Sequence, residues 1–234
     1  SYSALACIAI QANQNDQHGG QSIPNFDYYL ADGVRKTFAR RYRVNVGKAL
    51  ELLCAFENGE DTARSIADKI LEEKDLKPVL AFNNGYVEAE KEKLLSLGLD
   101  EKTAEHVQKF AFKEASHETD RATYQAMEAL VHNLNTMHSR AGAQVPFSSL
   151  NYGTDTSPEG RMVTRNILLA TKAGLGNGET PIFPIHIFKV KEGVNYNPGD
   201  PNYDLFKHAM RCSAKRLFPN FSFQDAPFNL QYYK

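Results

Sequence analysis

A dense run of basic side chains is the first group in the chain whose spacing suggests chemistry. It comprises Arg35, Lys36, Arg40, Arg41 and Arg43. Lys36 and Arg40 are four residues apart, so on a helix they share one face. Two cations on one face can hold a phosphate group, although lysine and arginine on helix surfaces are usually solvated. The pattern alone therefore leaves two hypotheses open, a phosphate site and a solvated charged face.

The glycine pair Gly19-Gly20 lies in a polar stretch, residues 13–22, that follows the apolar run Ala4–Ala12. Glycine adopts backbone angles that other residues avoid, so the chain can approach a ligand closely at this point. An ordinary turn with two glycines has the same composition. The sequence therefore predicts a strand over Ala4–Ala12, then a loop that either contacts a ligand or simply turns.

The familiar catalytic and metal-binding motifs do not occur in the sequence. Cys7, Cys54 and Cys212 are far apart and form no CxxC pair, and the seven histidines show no ligand spacing. The glycine-rich stretch 174–178 follows a predicted helix and precedes a strand, which is the reverse of a dinucleotide fingerprint. We therefore expect no catalytic residue and no metal site in this chain. The free cysteines favour a reducing, cytoplasmic setting.

The composition is that of an ordinary globular protein. The chain has 234 residues, 42% hydrophobic and 24% charged, with 27 basic against 28 acidic side chains. Because the basic and acidic side chains nearly balance, the composition shows no excess of positive charge that would indicate nucleic-acid binding. No apolar run is long enough to span a membrane, and the N-terminal residues lack the basic leader of a signal peptide. Because the chain lacks an initiator methionine and opens in a strand-like run, we expect it to be a piece of a longer chain.

The middle of the chain is predicted to be helical. Asp100–Arg140 contains no glycine or proline and has apolar residues at helical spacing, which predicts one long helix or two nearly continuous ones. A helix of that length spans about 60 Å, so another element must pack against it. We therefore expect a dimer interface there. Three shorter helices are predicted before it, over Val34–Glu57, Ala63–Lys74 and Val87–Ser96, the second capped by Asp61 or Thr62. Asn25 and Asp27 are candidate caps for the helix that leads into the first of these, with a restart at Asp32.

The last third of the chain alternates strands with helices. Ser157-Pro158-Glu159 is a helix-start signal, with a serine cap, proline in the first turn and an acidic residue near the positive end of the helix dipole. The predicted elements are a strand over Val145–Tyr152, a helix to about Lys172, a strand over Pro181–Lys191, a helix over Tyr203–Leu217 and a strand over Asn220–Phe228. Such spacing favours parallel βαβ units with right-handed crossovers.

Five segments, in this order, resemble the anaerobic, oxygen-sensitive (class III) ribonucleoside-triphosphate reductases. They are HGGQSIPNFDYYLADGVRKTF, NLNTMHSRAGAQVPFSSLNYGTDTSPEGRM, GLGNGETPIFPIHIFKVKEGVN, DPNYDLFKHAMRCSAKRLFPNFSF and DAPFNLQYY. The resemblance covers nearly the whole chain and is weakest over Asn58–Glu114. It implies an α/β fold, a partial (half) barrel of parallel strands with outer helices and long interface helices. The complete barrel of this glycyl-radical and ribonucleotide reductase type has ten strands.

The resemblance also implies a domain organisation. Residues 1–234 would form a single partial barrel domain. Within it, residues 33–142 would be a largely helical portion for dimer contacts and effector binding, and residues 143–234 a βαβαβ half-barrel portion.

The resemblance implies a reaction in deoxyribonucleotide biosynthesis, replacement of the ribose 2′-hydroxyl of a nucleoside triphosphate by hydrogen. A glycyl radical made by a radical-SAM activating enzyme generates a thiyl radical, and formate supplies electrons. The radical cysteine and the glycyl-radical segment are not among these residues, and Cys7, Cys54 and Cys212 match no family motif. We therefore expect the fragment to be inactive alone, to form a homodimer and to hold no cofactor. The glycyl radical, formate and the dNTP or ATP effectors are expected for the full-length enzyme.

The resemblance assigns site residues position by position. The effector-binding set is His18, Gly19, Gly20, Gln21, Lys36, Arg40, Arg140, Gly142 and Gln144. Ser148, Ser149 and Asn151 are the substrate-side candidates, because their strand is expected to line the barrel. The alternative hypothesis is a non-catalytic helical scaffold or interaction module whose basic patch is merely solvated.

Overall fold

The structure, a computed structural model of the chain, describes residues 20–82, 84–136 and 147–230. The chain divides into two compact units. One unit, called the sheet unit, combines Ser1–Gly33 with Ala122–Lys234, and the other, called the helical unit, is Val34–Arg121. Two long helices pass from one unit into the other, so each unit contains part of each of them.

Six helices and four strands form in the described residues. In chain order they are β1 (Gln21–Ile23), α1 (Phe26–Cys54), α2 (Gly59–Lys74), α3 (Gly85–Ser96), α4 (Glu101–Thr136), β2 (Ser148–Tyr152), α5 (Pro158–Ala173), β3 (Ile185–Val190), α6 (Tyr203–Arg216) and β4 (Asn220–Phe223). Every predicted helix is present, and the segment after Asp100, predicted as one long helix or two nearly continuous ones, forms a single helix of 36 residues. Its predicted end at Arg140 lies outside the described residues.

The helical unit has its own apolar core. Phe38, Tyr42 and Leu50 of α1 are buried, and so are the small residues Ala104 and Ala111 of α4. Aromatic rings fill the space beside these small side chains, as in the edge-on pair of Tyr42 and Tyr86 with centroids 6.0 Å apart. Small residues on α4 thus leave room for large rings on the neighbouring helices.

The beginnings of two helices differ from the sequence-based expectation. Helix α1 begins at Phe26, directly after the candidate cap Asn25, and continues without the predicted restart at Asp32 into the apolar pattern that begins at Val34, so Gly33 does not break the helix. Helix α2 begins at Gly59, and the predicted cap at Asp61 or Thr62 is wrong. The backbones approach closely there, since a Cβ on Gly59 would lie 2.2 Å from the carbonyl oxygen of Gly47.

The strands of the sheet unit form one parallel sheet in the order β1-β2-β3-β4. Ser149 pairs with Ile185, and Phe188 pairs with Phe221, so β2, β3 and β4 lie side by side in chain order. The predicted parallel βαβ units are therefore confirmed, and they are compatible with part of a barrel wall. The predicted strand Ala4–Ala12 lies outside the described residues. Strand β1 overlaps the end of the predicted loop over residues 13–22.

Side chains alternate between the two faces of the sheet, as the period of a strand requires. On one face, the helix-covered face, Tyr152, His186 and Phe188 are buried. Phe188 stacks on Phe206 of α6 with ring centroids 6.1 Å apart, and Thr171 of α5 lies beside His186. The opposite face carries Ser149, Asn151 and Lys189 together with Ile185 and Ile187, and we call it the polar face.

Candidate functional site

The polar face brings together two of the three predicted substrate-side residues. Ser149 and Asn151 alternate with Leu150 and are half-buried, whereas Ser148 is completely buried on the helix-covered face. The structure therefore separates Ser148 from the other two. Within the described residues the Oδ1 atom of Asn151 is buried and has no hydrogen-bond partner. A buried carbonyl oxygen without a donor is costly, so Asn151 is the polar-face group best suited to accept a hydrogen bond from a ligand or a water.

Lys189 lies on the same face, nearer the carboxyl end of the sheet, and its side chain is almost fully buried. Its Nζ donates to Oδ1 of Asn25 at 2.7 Å and to the carbonyl oxygen of Pro24 at 3.0 Å. These two acceptors follow β1 directly. The buried ammonium group thus joins the end of β3 to the end of β1 across β2.

Asp27, in the first turn of α1, fixes the end of β2. Its Oδ2 accepts from the backbone N–H of Gly153 at 3.0 Å and of Asp155 at 2.9 Å. Burial raises the pKa of Asp27, while these two hydrogen bonds and the positive charge of Lys189 act in the opposite direction. The carboxylate is completely buried. It therefore serves to hold the backbone that follows Asn151.

Two buried asparagines donate hydrogen bonds to carbonyl oxygens of the same backbone. Asn195 donates to the carbonyl oxygens of Gly153 at 3.0 Å and of Lys189 at 2.8 Å. Asn202 donates to the carbonyl oxygens of Gly153 at 3.1 Å and of Asp155 at 2.8 Å. Gly153 has φ +120, a backbone angle that favours glycine. The carboxyl ends of β2 and β3 are thus joined by side chains that the sequence-based analysis missed.

The predicted helix start after this segment is confirmed. Oγ of Ser157 accepts from the N–H of Gly160 at 3.1 Å, with Pro158 in the first turn of α5. Oδ1 of Asp155 accepts from the N–H of Ser157 at 2.9 Å. A Cβ on Gly160 would lie 2.1 Å from the Asp155 carboxylate, so only glycine fits there. The strand end and the helix start are therefore built as one rigid turn.

The predicted effector residues are only partly described by the structure. Lys36 and Arg40 are exposed on α1, one turn apart, in the helical unit. Gly20 precedes β1 and Gln21 pairs with Ser148 in the sheet unit. His18, Gly19, Arg140, Gly142 and Gln144 lie outside the described residues. The effector site therefore stays a prediction.

The buried Cys212 and His186 serve the packing of the chain. Cys212 is buried and donates to the carbonyl oxygen of Leu168 at 3.6 Å, and burial raises the pKa of its thiol to about 11. Burial likewise lowers the pKa of His186 to about 3, and its Nδ1 lies 3.0 Å from the Tyr152 hydroxyl. Among the described residues, no group of three or more His, Cys, Asp and Glu side chains is arranged to hold a metal ion. Cys7 is outside the described residues.

The glycine-rich stretch 174–178 connects α5 to β3, as predicted. Arg216 at the end of α6 donates to the carbonyl oxygens of Lys172, Ala173 and Gly178 at distances of 2.8 to 3.1 Å. The stretch lines a cavity of about 570 Å³ together with Glu128 and His132 of α4. A buried guanidinium group thus holds this connection in one shape.

Comparison with known proteins identifies the family. The family model described as anaerobic ribonucleoside-triphosphate reductase matches residues 1–234. The anaerobic ribonucleoside-triphosphate reductase of Escherichia coli (strain K12) is 38% identical over 107 residues, which are 45% of this chain and 15% of that protein. The enzyme of the same name from Enterobacteria phage T4 is 40% identical over 111 residues, 47% of this chain and 18% of that protein.

The fold and the site define an α/β protein whose parallel sheet has one polar face. The chain belongs to the anaerobic ribonucleoside-triphosphate reductase family. Its matched part spans less than a fifth of the length of these relatives, 15% and 18%. Among the described residues, none of the helices combines the length and apolar character needed to cross a bilayer.

Proposed function

We propose that this chain is the part of an anaerobic ribonucleoside-triphosphate reductase that forms one side of the reaction chamber. The observation that carries the proposal is the polar face, where half-buried Ser149 and Asn151 lie on β2 and the buried Lys189 lies next to Gly153, beyond Asn151 towards the carboxyl end of the sheet. The family match supports the proposal, since it covers residues 1–234.

The reaction proposed for the whole protein removes the 2′-hydroxyl of a ribonucleoside triphosphate. The hydroxyl leaves as water, a hydrogen takes its place, and formate supplies two electrons and is oxidised to carbon dioxide. The described residues contribute positions for hydrogen bonding to the substrate, not the radical chemistry. Asn151 has an acceptor atom without a partner among the described residues, which suits a ribose or base donor.

The buried groups behind the polar face give it a fixed shape. Asp27 and Asn202 both bind the backbone that follows β2, so Asn151 is held only two residues from a rigid turn. Side chains that bind a reacting substrate must be held within a fraction of an ångström of the productive position. The asparagine network provides that support without any contact to the substrate.

The experiment replaces Asn151 with alanine in the full-length protein that contains this chain, activated without oxygen. We expect kcat/KM for ribonucleoside triphosphate reduction to fall about tenfold or more, because one substrate hydrogen bond is lost. Asn58→Ala is the matched control, since Asn58 makes no side-chain cap hydrogen bond at α2. If both variants and the wild type had equal kcat/KM values, the proposal that the polar face lines the reaction chamber would be wrong.

We further propose that Lys36 and Arg40 bind the phosphates of a regulatory dNTP. Their spacing and exposure on one face of α1 support this assignment, as does the family resemblance of the surrounding residues. Titration of dNTPs into the full-length protein tests it. The Lys36→Ala, Arg40→Ala double variant should bind at least about tenfold more weakly, because two charged contacts are lost. Lys48→Ala, an exposed lysine of the same helix, should bind normally, and equal loss in both variants would contradict the assignment.

A further inference from the structure

Strand β4 contributes an asparagine to the polar face that the sequence-based analysis did not assign to any site. Asn220 pairs with Ile187 of β3, so the two side chains lie on the same face of the sheet. The next residue, Phe221, faces the other way. Its ring contacts those of Phe188 and Phe206 on the helix-covered face, with centroids 6.1 and 5.8 Å apart. The packing of Phe221 therefore fixes Asn220 on the polar face.

The register of the sheet places Asn220 in line with Asn151. Asn151 pairs with Ile187, and Ile187 pairs with Asn220, so the three residues lie side by side on β2, β3 and β4. Neighbouring strands are about 4.8 Å apart, which puts the backbones of the two asparagines about 10 Å apart. Strand side chains stand roughly perpendicular to the sheet, so the two amides flank the half-buried side chain of Ile187. We call Asn151, Ile187 and Asn220 the amide row.

The amide row offers hydrogen bonds at both ends and an apolar surface between them. Oδ1 of Asn151 is buried and has no partner within the described part of the chain, whereas the side chain of Asn220 is exposed. An amide group both donates and accepts, so it can pair with a hydroxyl, an amino group or a carbonyl oxygen. Small-molecule sites combine apolar surface with a few polar groups that fix the orientation of the ligand. The amide row has that combination.

The amide row carries no charge, which narrows the class of ligand. Phosphate groups bind most strongly to arginine and lysine side chains. Lys189, a charged residue of the same face, already donates to Oδ1 of Asn25 and to the carbonyl oxygen of Pro24. The uncharged row therefore suits the hydroxyls of a ribose and the donors and acceptors of a base better than it suits a triphosphate.

Ser222 is another polar residue that β4 contributes to this face. It pairs with Lys189, so it lies beyond the amide row at the carboxyl edge of the sheet. Its hydroxyl oxygen lies 3.4 Å from Nε2 of Gln224, which donates to it. Asn220, which lies in line with Asn151, is therefore the better candidate for a ligand contact.

We propose that Asn220 is a second substrate-binding residue of the polar face. The nucleoside part of the ribonucleoside triphosphate lies over Ile187, with Asn151 at one end and Asn220 at the other. The separation of the two asparagines is comparable with the length of a ribose and its attached base. Asn220 hydrogen-bonds to a ribose hydroxyl or to the edge of the base. This inference rests on the proposed function, because it requires the polar face to line the reaction chamber.

The test uses the full-length protein that contains this chain, activated without oxygen, and steady-state kinetics with each of the four ribonucleoside triphosphates. Asn220→Ala should raise KM about three- to tenfold and leave kcat within about twofold, because a lost hydrogen bond away from the reacting atoms weakens the binding of substrate and transition state alike. An equal rise for all four substrates assigns the contact to the ribose, and an unequal rise assigns it to the base. Asn177→Ala, at an exposed position between α5 and β3, is the control and should keep the wild-type KM and kcat.

Comparison with Asn151→Ala separates this inference from the proposed function. A lower kcat/KM in Asn151→Ala together with wild-type kinetics in Asn220→Ala would overturn the role of Asn220 and leave the proposed function standing. Wild-type kinetics in both variants would overturn both. A fall in kcat with unchanged KM in Asn220→Ala, or the same rise in KM in Asn177→Ala, would also overturn the assignment. Thermal melting verifies that each variant folds, and Asn220→Val, whose side chain favours strands, replaces the alanine variant with the same expected rise in KM if that variant does not fold.

Discussion

Oδ2 of Asp27 accepts a hydrogen bond from the backbone N–H of Gly153 at 3.0 Å, which ties the first turn of α1 to the residue after β2. The same oxygen binds the N–H of Asp155 at 2.9 Å. The first turn of α1 thus carries a side chain that shapes the edge of the polar face. This connection is made by a buried carboxylate, so it responds to single substitutions.

Replacing Asp27 with alanine should destabilise the protein by about 2 to 4 kcal/mol, because two buried N–H groups lose their acceptor. Urea unfolding measures the loss, and hydrogen exchange at Gly153 and Asp155 locates it. Asp68→Ala, an exposed aspartate on α2, is the control and should stay within about 0.5 kcal/mol of the wild type. Unchanged exchange at Gly153 and Asp155 in the Asp27 variant would show that this carboxylate does not hold the turn.

The buried imidazole of His186 should make the sheet unit sensitive to acid. Its pKa is about 3 in the folded protein because of burial, against an ordinary value of 6.5. Below pH 6.5 His186 binds a proton in the unfolded chain but stays neutral in the folded protein. The free energy of unfolding therefore decreases as the pH falls from 6.5 towards 3. The loss approaches about 1.4 kcal/mol per pH unit.

The measurement for His186 is the free energy of unfolding at several pH values between 6.5 and 4. His186→Gln should show a shallower decline than the wild type, whatever its stability at neutral pH. His106→Gln, at an exposed position on α4, should keep the wild-type slope. Parallel curves for the wild type and the His186 variant would exclude this histidine as the source.

Glu90 should have the opposite pH dependence in the helical unit. Its carboxyl is buried and bonded to the Tyr42 hydroxyl at 2.7 Å and to Gln108 at 3.0 Å, and burial raises its pKa above the ordinary 4.5. As the pH rises above 4.5, the unfolded chain releases a proton that the folded carboxyl retains. Stability is therefore lost on raising the pH from 4.5 through the folded pKa.

In the Glu90→Gln variant the free energy of unfolding of the helical unit should no longer decrease as the pH rises above 4.5, because glutamine does not ionise. Glu90→Ala should cost about 1 to 3 kcal/mol at pH 4.5, since Tyr42 and Gln108 then lose a buried partner. The cost should become smaller at higher pH, because the alanine variant has no carboxyl group to ionise. Denaturant unfolding at pH 4.5 and 8 distinguishes the two effects. Glu88→Gln, exposed on the same helix, serves as the control, and an identical pH slope in the Glu88 and Glu90 variants would refute the assignment.

The close approach of α1 and α2 depends on glycine at position 59. A Cβ there would lie 2.2 Å from the Gly47 carbonyl oxygen and 2.7 Å from the Glu51 side chain, so the backbones must separate. Gly59→Ala should lower stability by about 1 to 3 kcal/mol, measured by thermal melting. At Gly85 a Cβ would lie 3.2 Å from the end of the flexible Leu76 side chain, so Gly85→Ala should have a much smaller effect. Equal melting temperatures for the two variants would argue against a tight crossing.

The helices and the parallel strands could be predicted because their signals are local. The start of α5 at Ser157 and Pro158 and the length of α4 follow from caps and apolar periodicity within each segment. The network behind the polar face could not be predicted, because Asp27 lies 126 and 128 residues from its partners Gly153 and Asp155. The asparagines 195 and 202 gave only the weak signal of polar residues after a strand. That Ser148 and Ser149 face opposite sides of the sheet follows from the period of a strand, but which of the two sides is covered depends on where α5 and α6 pack.

The most direct test of the central claim is product analysis of the full-length protein that contains this chain. The protein is activated without oxygen by a radical-SAM enzyme and supplied with formate and each ribonucleoside triphosphate in turn. We expect the matching 2′-deoxyribonucleoside triphosphate as product, in amounts that depend on added dNTP, and loss of product when oxygen is admitted. An activated protein that carries its radical and still forms no deoxynucleotide from any of the substrates would contradict the account.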